Sequence, residues 1–172
     1  MVSLRALTLR TLTPADAARL VEHLNDEAVY RYLSSRIPQP YTLDDANWWI
    51  ETGSKDKAIV RAIEYRGDFC GVIGATLQAF EHAHSAEVGY WLARPAWGNG
   101  IATAALRQFS EHLFAKTEIR RLFAGVFDGN LASARVLEKA GYEFEGIRQK
   151  AVFKNGQYLN EHLYARLAPS LQ

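Results

Sequence analysis

The chain has 172 residues, of which 48% are hydrophobic and 23% charged, and its formal net charge is +1. This length suits one domain with a sizeable core, and the near-neutral charge gives no reason to expect general attraction to nucleic acid or membranes. No apolar run approaches the roughly twenty residues of a membrane-spanning helix. The single cysteine, Cys70, and a start without a signal-peptide apolar stretch predict a cytoplasmic protein.

The N-terminal segment predicts a strand and then a helix. Residues 4–10 alternate weakly between apolar and polar and are expected to form the first strand. Thr13 followed by Pro14 is typical of a helix N-terminus, with threonine as the cap and proline in the first turn. The apolar face of that helix comprises Ala17, Leu20, Val21 and Leu24.

A loop and a second helix follow. Residues 30–41 contain two prolines and predict an irregular loop. Thr42 and Asp45 form a second helix-start pattern. The helix carries Trp48 and Trp49, which could line an acceptor groove, anchor a dimer or pack in the core. Core packing is the simplest interpretation for at least one of them.

Three apolar segments then predict a meander of strands, over residues 58–65, 69–80 and 85–92. Cys70 lies within the second of these strands. Its apolar neighbours indicate a small buried side chain rather than a nucleophile.

The third strand of the meander leads through a glycine-bearing loop into a helix that runs from about Asn99 to Lys116. Gly98 and Gly100 allow close approach of a ligand and backbone conformations that a Cβ would block. Free backbone N–H groups and a helix N-terminus at one point suit a phosphate. The segment lacks the Gly-Lys-Ser/Thr of a P-loop and the G-x-G-x-x-G spacing of a dinucleotide fingerprint. A simple strand-to-helix turn is the structural alternative.

The C-terminal part predicts a strand over residues 121–127, a helix and a hairpin. Asn130 suits the N-cap of the helix, and Gly141 suits the left-handed position just beyond its end. Asn155-Gly156 predicts a tight turn between two final strands, which cover residues 142–153 and 157–167.

Two motifs resemble the GCN5-related N-acetyltransferase (GNAT) family. Trp97-x-x-Gly100-x-Ala102 follows the family's pyrophosphate loop, [Arg/Gln]-x-x-Gly-x-[Gly/Ala], except at Trp97. Asn130-x-x-Ser133, which leads to Gly141-Tyr142, is similar to the later motif of the RimJ/RimL-type branch, which acetylates the N-termini of ribosomal proteins. The resemblance implies an α/β fold, a mixed and mostly antiparallel sheet of about seven strands flanked by about four helices. It also implies a single N-acetyltransferase domain over residues 4–168.

The resemblance implies acetyl-CoA as co-substrate and assigns its contacts. The pyrophosphate would bind the loop, and the pantetheine arm would run along the end of the preceding strand, where a backbone N–H near Leu92 would polarise the thioester carbonyl. Asn130 and Ser133 would contact the cofactor as well. The other implied cofactor-binding residues are Trp91, Trp97, Gly98, Asn99, Gly100, Ile101, Ala102 and Thr103.

Glu87 and Ser133 are the candidate catalytic residues. Glu87 is the only ionisable residue of its strand between Ala86 and Leu92, and a carboxylate can take a proton from the amine directly or through water. The alternative is a glutamate that faces solvent or pairs with an arginine. Ser133 would protonate the CoA thiolate, since Leu137 occupies the place of the tyrosine that many family members use. A structural serine in a helix's first turn is the alternative there.

No metal is expected, because the five histidines show no metal-ligand spacing. The expected partners are acetyl-CoA and an amine acceptor, with neither nucleic acid nor membrane, and the chain could be a monomer or a homodimer. The leading hypothesis for the acceptor is a protein N-terminal α-amine. The alternatives are a small amine (polyamine, aminoglycoside or amino acid), another acyl-CoA, or a non-catalytic acyl-CoA-binding module.

Overall fold

The computed structural model describes residues 3–172, except for the side chain of Leu4. Within this range the chain forms one mixed seven-stranded sheet in the order β1-β2-β3-β4-β5-β7-β6. The pairings of β1 with β2, β2 with β3, β5 with β7 and β6 with β7 are antiparallel, and β4 pairs with β5 in parallel. The strands are β1 Leu7–Arg10, β2 Ala58–Tyr65, β3 Asp68–Leu77, β4 Ser85–Leu92, β5 Arg121–Phe127, β6 Glu143–Lys154 and β7 Gln157–Leu167.

Five α-helices accompany the sheet in the described residues, against about four expected. The additional helix, α2, is a single turn that Asp26 caps by accepting from the N–H of Ala28 at 3.0 Å. The helices are α1 Ala17–Leu24, α2 Glu27–Tyr30, α3 Leu43–Glu51, α4 Ile101–Lys116 and α5 Leu131–Lys139. None of the helices described is long and apolar enough to span a membrane.

The chain divides into two compact units. Of the described residues, the first contains 3–76 and Gly89–Ala105, and the second contains Leu77–Val88 and Leu106–Gln172. Strand β4 therefore contributes its first half to the second unit and its last half to the first.

The core of the first unit forms where the amphipathic faces of α1 and α3 pack with strands β2 and β3. Leu20 and Ala46 are fully buried there, and Trp49 packs against this cluster while Trp48 remains 61% exposed. The core interpretation is therefore right for one of the two tryptophans. The second predicted helix start is present, with the Asp45 carboxylate accepting from the N–H of Thr42 at 2.8 Å. At the first, Asp16 accepts from the N–H of Thr13 at 2.8 Å, but Pro14–Asp16 form a 3-10 turn and α1 begins only at Ala17.

The first predicted strand is wrong in its N-terminal part. Leu4–Ala6 forms a 3-10 turn, closed by the N–H of Ala6 bonding to the carbonyl of Ser3 at 3.0 Å, and β1 begins only at Leu7. The weak alternation of residues 4–6 did not distinguish a turn from a strand. The pairing of β1 with β2 begins at Leu7 opposite Tyr65.

The buried side chains of the second unit include Leu122 of β5, Phe109 of α4 and Leu137 of α5. The Tyr142 hydroxyl lies 2.8 Å from that of Ser110, and both side chains are buried. Gly141 has φ +86°, as expected for a residue that ends α5, and the Asn155-Gly156 turn has two positive φ angles.

The prediction that β3 would reach Phe80 is wrong, because Phe80 has φ +54°, begins a 3-10 turn and is 89% exposed.

Candidate active site

The loop after β4 has the backbone conformation that its two glycines suggested. Gly98 and Gly100 have φ +75° and +77°, which side chains with a Cβ rarely adopt. Among the described residues, no heavy atom lies within 4 Å of a Cβ added at Gly98, so glycine is needed there for the backbone angle alone. Helix α4 begins directly afterwards at Ile101, and its first backbone N–H groups point out of the helix end without intrahelical acceptors.

Trp97 holds this loop against the end of β4. Its indole N–H donates to the carbonyl of Leu92 at 2.8 Å, and the Asn99 side-chain amide donates to the Trp97 carbonyl at 3.0 Å. Trp97 is still 45% exposed, so a ligand can reach its ring. The residue that departs from the family's loop pattern therefore has a structural task, since it fixes the loop to the strand.

The end of β4 lies unusually close to β3. A Cβ added at Gly71 would lie 2.1 Å from the carbonyl oxygen of Trp91 and 2.9 Å from the Cα of Leu92. The next residue, Ala93, donates its N–H to the carbonyl of Cys70 at 2.8 Å. Glycine at position 71 thus fixes where the Trp91-Leu92 backbone lies.

An ion pair anchors the other side of the loop. Arg94, in the 3-10 turn that precedes Trp97, donates to the carboxylate of Asp26. That hydrogen bond lowers the pKa of Asp26. The charge pair ties the start of the loop to the N-terminus of α2.

A cleft of about 780 Å³ opens beside the loop within the first unit. Gly98, Asn99 and Ile101 line it on the loop side, and the other lining residues include both cationic and anionic side chains. The Nε2 atom of His23 is buried and has no hydrogen-bond partner among the described residues. Burial lowers the pKa of His23, so the neutral ring is favoured. Lining residues outside the loop include Arg19, His23, Tyr65, Arg66, Asp68 and Cys70.

Cys70 is a small buried side chain, as the sequence predicted. Its side chain is buried, and burial raises the pKa of the thiol, which disfavours the reactive thiolate.

Glu87 lies in the second unit, on the first half of β4. It is exposed, while its neighbours Ala86 and Val88 are buried. Its strand pairs with β5 in parallel, and Glu87 stands opposite Phe123. Glu87 and Phe123 therefore share one side of the sheet.

Asn130 and Ser133 form the N-terminus of α5. The Asn130 side-chain oxygen accepts from the backbone N–H of Ser133 at 3.3 Å, which makes Asn130 the cap that its sequence predicted. Ser133 is half-buried, and its hydroxyl takes no part in this bond. Leu137, one turn later, is fully buried, so the usual position of the family's tyrosine belongs to the core.

The close contact between Glu161 of β7 and Gly125 of β5 was not predicted from the sequence. Glu161 of β7 lies across Gly125, because a Cβ added at Gly125 would lie 2.2 Å from the Glu161 Oε1. Cross-strand neighbours of this kind have no local signature in the sequence. Only the glycine at position 125, inside a predicted strand, hinted at a close approach.

Within residues 3–172, no three His, Cys, Asp or Glu side chains group closely enough to hold a metal ion. His82 and His84 are exposed, and the Nδ1 of His84 lies 2.7 Å from the carbonyl oxygen of Glu118.

The predicted site residues fall into both units. Residues 91, 92 and 97–103 lie in the first unit, whereas Glu87, Asn130 and Ser133 lie in the second. Within the first unit, the structure brings together Leu92, Trp97 and the two loop glycines. Within the second, it joins Asn130 to Ser133.

Comparison with known proteins bears on the fold and the family. A family model described as an acetyltransferase (GNAT) domain matches residues 6–143. The chain is 28% identical over 169 residues to an uncharacterized N-acetyltransferase, YoaA, of Bacillus subtilis (strain 168), covering 95% of this chain and 94% of that protein. It is 35% identical over 86 residues to the ribosomal-protein-serine acetyltransferase of Escherichia coli (strain K12), covering 50% and 48% of the two chains.

A solved structure extends the likeness to three dimensions. It is the ribosomal L7/L12 α-N-protein acetyltransferase RimL in complex with coenzyme A. The TM-score is 0.83 at 22% identity, and the match covers 97% of this chain and 96% of that one. At this identity the match shows a common fold.

Proposed function

The chain belongs to the acetyltransferase (GNAT) family of acetyl-CoA-dependent N-acetyltransferases, and on that premise we propose that its acceptor is the α-amine of a protein or peptide N-terminus. Two similar proteins support this acceptor: RimL, an α-N-protein acetyltransferase, and the ribosomal-protein-serine acetyltransferase of Escherichia coli. The later motif Asn130-x-x-Ser133, similar to that of the RimJ/RimL-type branch, supports the same choice.

The conformation of the loop after β4 is the single observation that most directly supports the proposal that the protein binds CoA. Two left-handed glycines lead into a sixteen-residue helix whose first turn, Ile101-Ala-Thr-Ala, has no charged side chain. A pyrophosphate there would accept backbone N–H bonds and meet roughly half a positive charge from the helix. The neighbouring cleft, with Arg19 and Arg66 in its lining, supports the binding of a further anionic part of CoA.

The proposed reaction is direct attack of the amine on the thioester. A new C–N bond forms at the acetyl carbonyl, and the C–S bond breaks to release the CoA thiolate. Glu87 takes a proton from the amine, directly or through water, and the N–H near Leu92 stabilises the oxyanion. An α-amine has a pKa of about 7.7–8.0, against about 10.4 for lysine, so a single carboxylate suits it.

Ser133 is the proposed proton donor to the departing thiolate. The cap bond with Asn130 uses the backbone N–H of Ser133, so the cap and a role for the hydroxyl are compatible. The remaining residues of the loop, together with Trp91 and Asn130, are proposed as cofactor contacts, and no metal takes part.

We further propose that residues 4–168 form one catalytic domain that works in the cytoplasm, as a monomer or a homodimer. The family model spans 6–143, the larger part of this range. A single cooperative unfolding transition, the same by fluorescence and far-ultraviolet circular dichroism, is expected. Two separate transitions would contradict the single domain.

An acetyl-CoA screen tests the acceptor. The purified protein is mixed with acetyl-CoA and with peptides bearing free N-termini, polyamines, aminoglycosides or free amino acids, and thiol release is recorded. Release is expected with the peptides, and it should disappear when their N-termini are formylated. Faster release with a polyamine or aminoglycoside would reassign the acceptor. Tight CoA binding without release for any amine would indicate a non-catalytic module.

A further inference from the structure

One side of the β5–β7 pairing is left partly open. Leu122, Ala124 and Val126, on one side of β5, are at most 4% exposed, whereas the alternating residues are only half-buried. Antiparallel pairing places Leu163 opposite Gly125 and Glu161 opposite Phe127 on this second side. We name it the open face, and its members are Phe123, Gly125, Phe127, Glu161 and Leu163.

The side chain of Glu161 lies along the open face, directly over Gly125. A Cβ added at Gly125 would lie 2.2 Å from its Oε1, 2.7 Å from its Cδ and 2.9 Å from its Cγ. The carboxylate thus occupies space that exists only because residue 125 is glycine. Its side chain is 15% exposed, so most of it is removed from water.

The charge of Glu161 is only modestly compensated. Its Oε2 accepts from Arg148 at 3.1 Å, and the arginine side chain is 58% exposed. An ion pair with such an exposed partner contributes little, while removing a carboxylate from water is costly. The arrangement leaves this carboxylate suited to a second, cationic partner.

The surroundings match an amine that carries an apolar substituent. Phe123, Phe127 and Leu163 supply half-buried apolar surface around the carboxylate. Glu87 stands opposite Phe123 and so faces the same side of the sheet. Together, the open face and Glu87 combine apolar area with two carboxylates, which complement an ammonium group next to an apolar side chain.

We propose that Glu161 binds the ammonium group of the acceptor and that the open face is the acceptor-binding surface. The role proposed for Glu161 is to hold the acceptor and not to act as the base, so it affects the affinity for the acceptor and not the chemical step. The inference rests on the proposed function, because it assigns the acceptor of that same reaction.

The first experiment compares Glu161→Gln with Glu145→Gln. Glu145 is the matched control, because it lies on β6 and also pairs with an arginine, Arg121 at 2.7 Å. Loss of a charge-assisted contact is expected to raise the acceptor KM about 10- to 150-fold in Glu161→Gln, with kcat and the KM for acetyl-CoA within about twofold. Glu145→Gln should behave as wild type. Equal acceptor KM values in the two variants would overturn the proposal.

A second variant tests the position of the carboxylate. In Gly125→Ala the new Cβ meets only the flexible end of the Glu161 side chain, so the protein should fold and the carboxylate should move. The acceptor KM is expected to rise although the glutamate remains. An unchanged KM would contradict the assigned geometry.

Direct binding separates this inference from the proposed function. Calorimetry with CoA present would compare a tetrapeptide with a free N-terminal serine and its N-formylated form, which has no ammonium group. The wild type is expected to prefer the free amine, and Glu161→Gln is expected to lose that preference. This result without turnover would refute the proposed function and leave Glu161 assigned. Turnover with equal preference in both proteins would refute the role of Glu161 alone.

Discussion

Gly71→Ala tests how the end of β4 is positioned. The added methyl carbon would lie 2.1 Å from the Trp91 oxygen, 2.9 Å from the Leu92 Cα and 3.0 Å from the Trp91 carbonyl carbon. All three are backbone atoms, which cannot rotate away as a side chain can. Overpacking costs about 1–3 kcal/mol, and the backbone contacts place this variant in the upper half of that range, at about 2–3 kcal/mol.

The expected loss corresponds to a decrease in Tm of about 4–12 °C, because 1 kcal/mol shifts Tm by about 2–4 °C in a chain of this size. Thermal and denaturant unfolding would measure it. Gly89→Ala is the matched control, since Gly89 lies on β4 and an added Cβ there meets no heavy atom of the described residues within 4 Å. The control should match the wild type or exceed it by about 0.4–1 kcal/mol.

Gly71→Ala is also expected to slow acetyl transfer, because it displaces the segment that carries the proposed carbonyl-binding N–H. A displacement of about 1 Å can cost about 10²-fold in rate. If Gly71→Ala were as stable as Gly89→Ala, the close approach of β3 to Trp91 and Leu92 would be refuted.

Three further substitutions have distinct expected outcomes. Glu87→Gln should lower kcat by about 10²–10⁴-fold and should leave CoA binding unchanged. The loss should be greatest at low pH, where the amine is protonated. Wild-type rates in this variant would exclude Glu87 as the base. Ser133→Ala should slow thiol release but retain the Asn130 cap of α5, because that cap binds the backbone N–H of residue 133. An unchanged rate would leave protonation of the thiolate to water. Burial alone would raise the pKa of Asp16, but hydrogen bonds from Arg10 and Thr13 outweigh it and lower the pKa. The ionised carboxylate therefore stabilises the fold above about pH 4, and Asp16→Asn should lower the free energy of unfolding by about 1.5–3 kcal/mol at pH 7. The difference between variant and wild type should shrink as the pH falls through the native pKa of Asp16. A constant difference down to about pH 2 would contradict a stabilising role of the ionised Asp16.

Local chemistry made much of the fold predictable. The Thr42-x-x-Asp45 start, the Asn130 cap and the Asn155-Gly156 turn each depend on residues close in sequence, and each is present. Strands β2, β4 and β5 have the predicted bounds for the same reason, because turn residues flank apolar runs. The family resemblance is confirmed by the match over residues 6–143.

The incorrect or missing predictions concern positions whose structure depends on packing against residues distant in sequence. The ends of two strands, at Leu4–Ala6 and near Phe80, were predicted too long, because a weak apolar pattern does not reveal whether a neighbouring strand is available. The left-handed angles of Gly98 and Gly100 could be predicted, since glycine itself signals them. The contact of Glu161 with Gly125 could not, since it joins residues thirty-six positions apart on two strands.

Calorimetric titration with acetyl-CoA tests the central claim, that the loop from Trp97 to Thr103 binds the cofactor. The comparison is between Gly100→Val and Gly156→Val, whose glycines have φ +77° and +75°, so both valines meet similar backbone strain. Saturable binding to the wild type is expected, with affinity about 10- to 150-fold weaker in Gly100→Val, because the strained loop loses a backbone bond to phosphate. Gly156→Val, in the β6–β7 turn, should bind as the wild type does. Equal affinity in both variants would contradict the assignment of the loop.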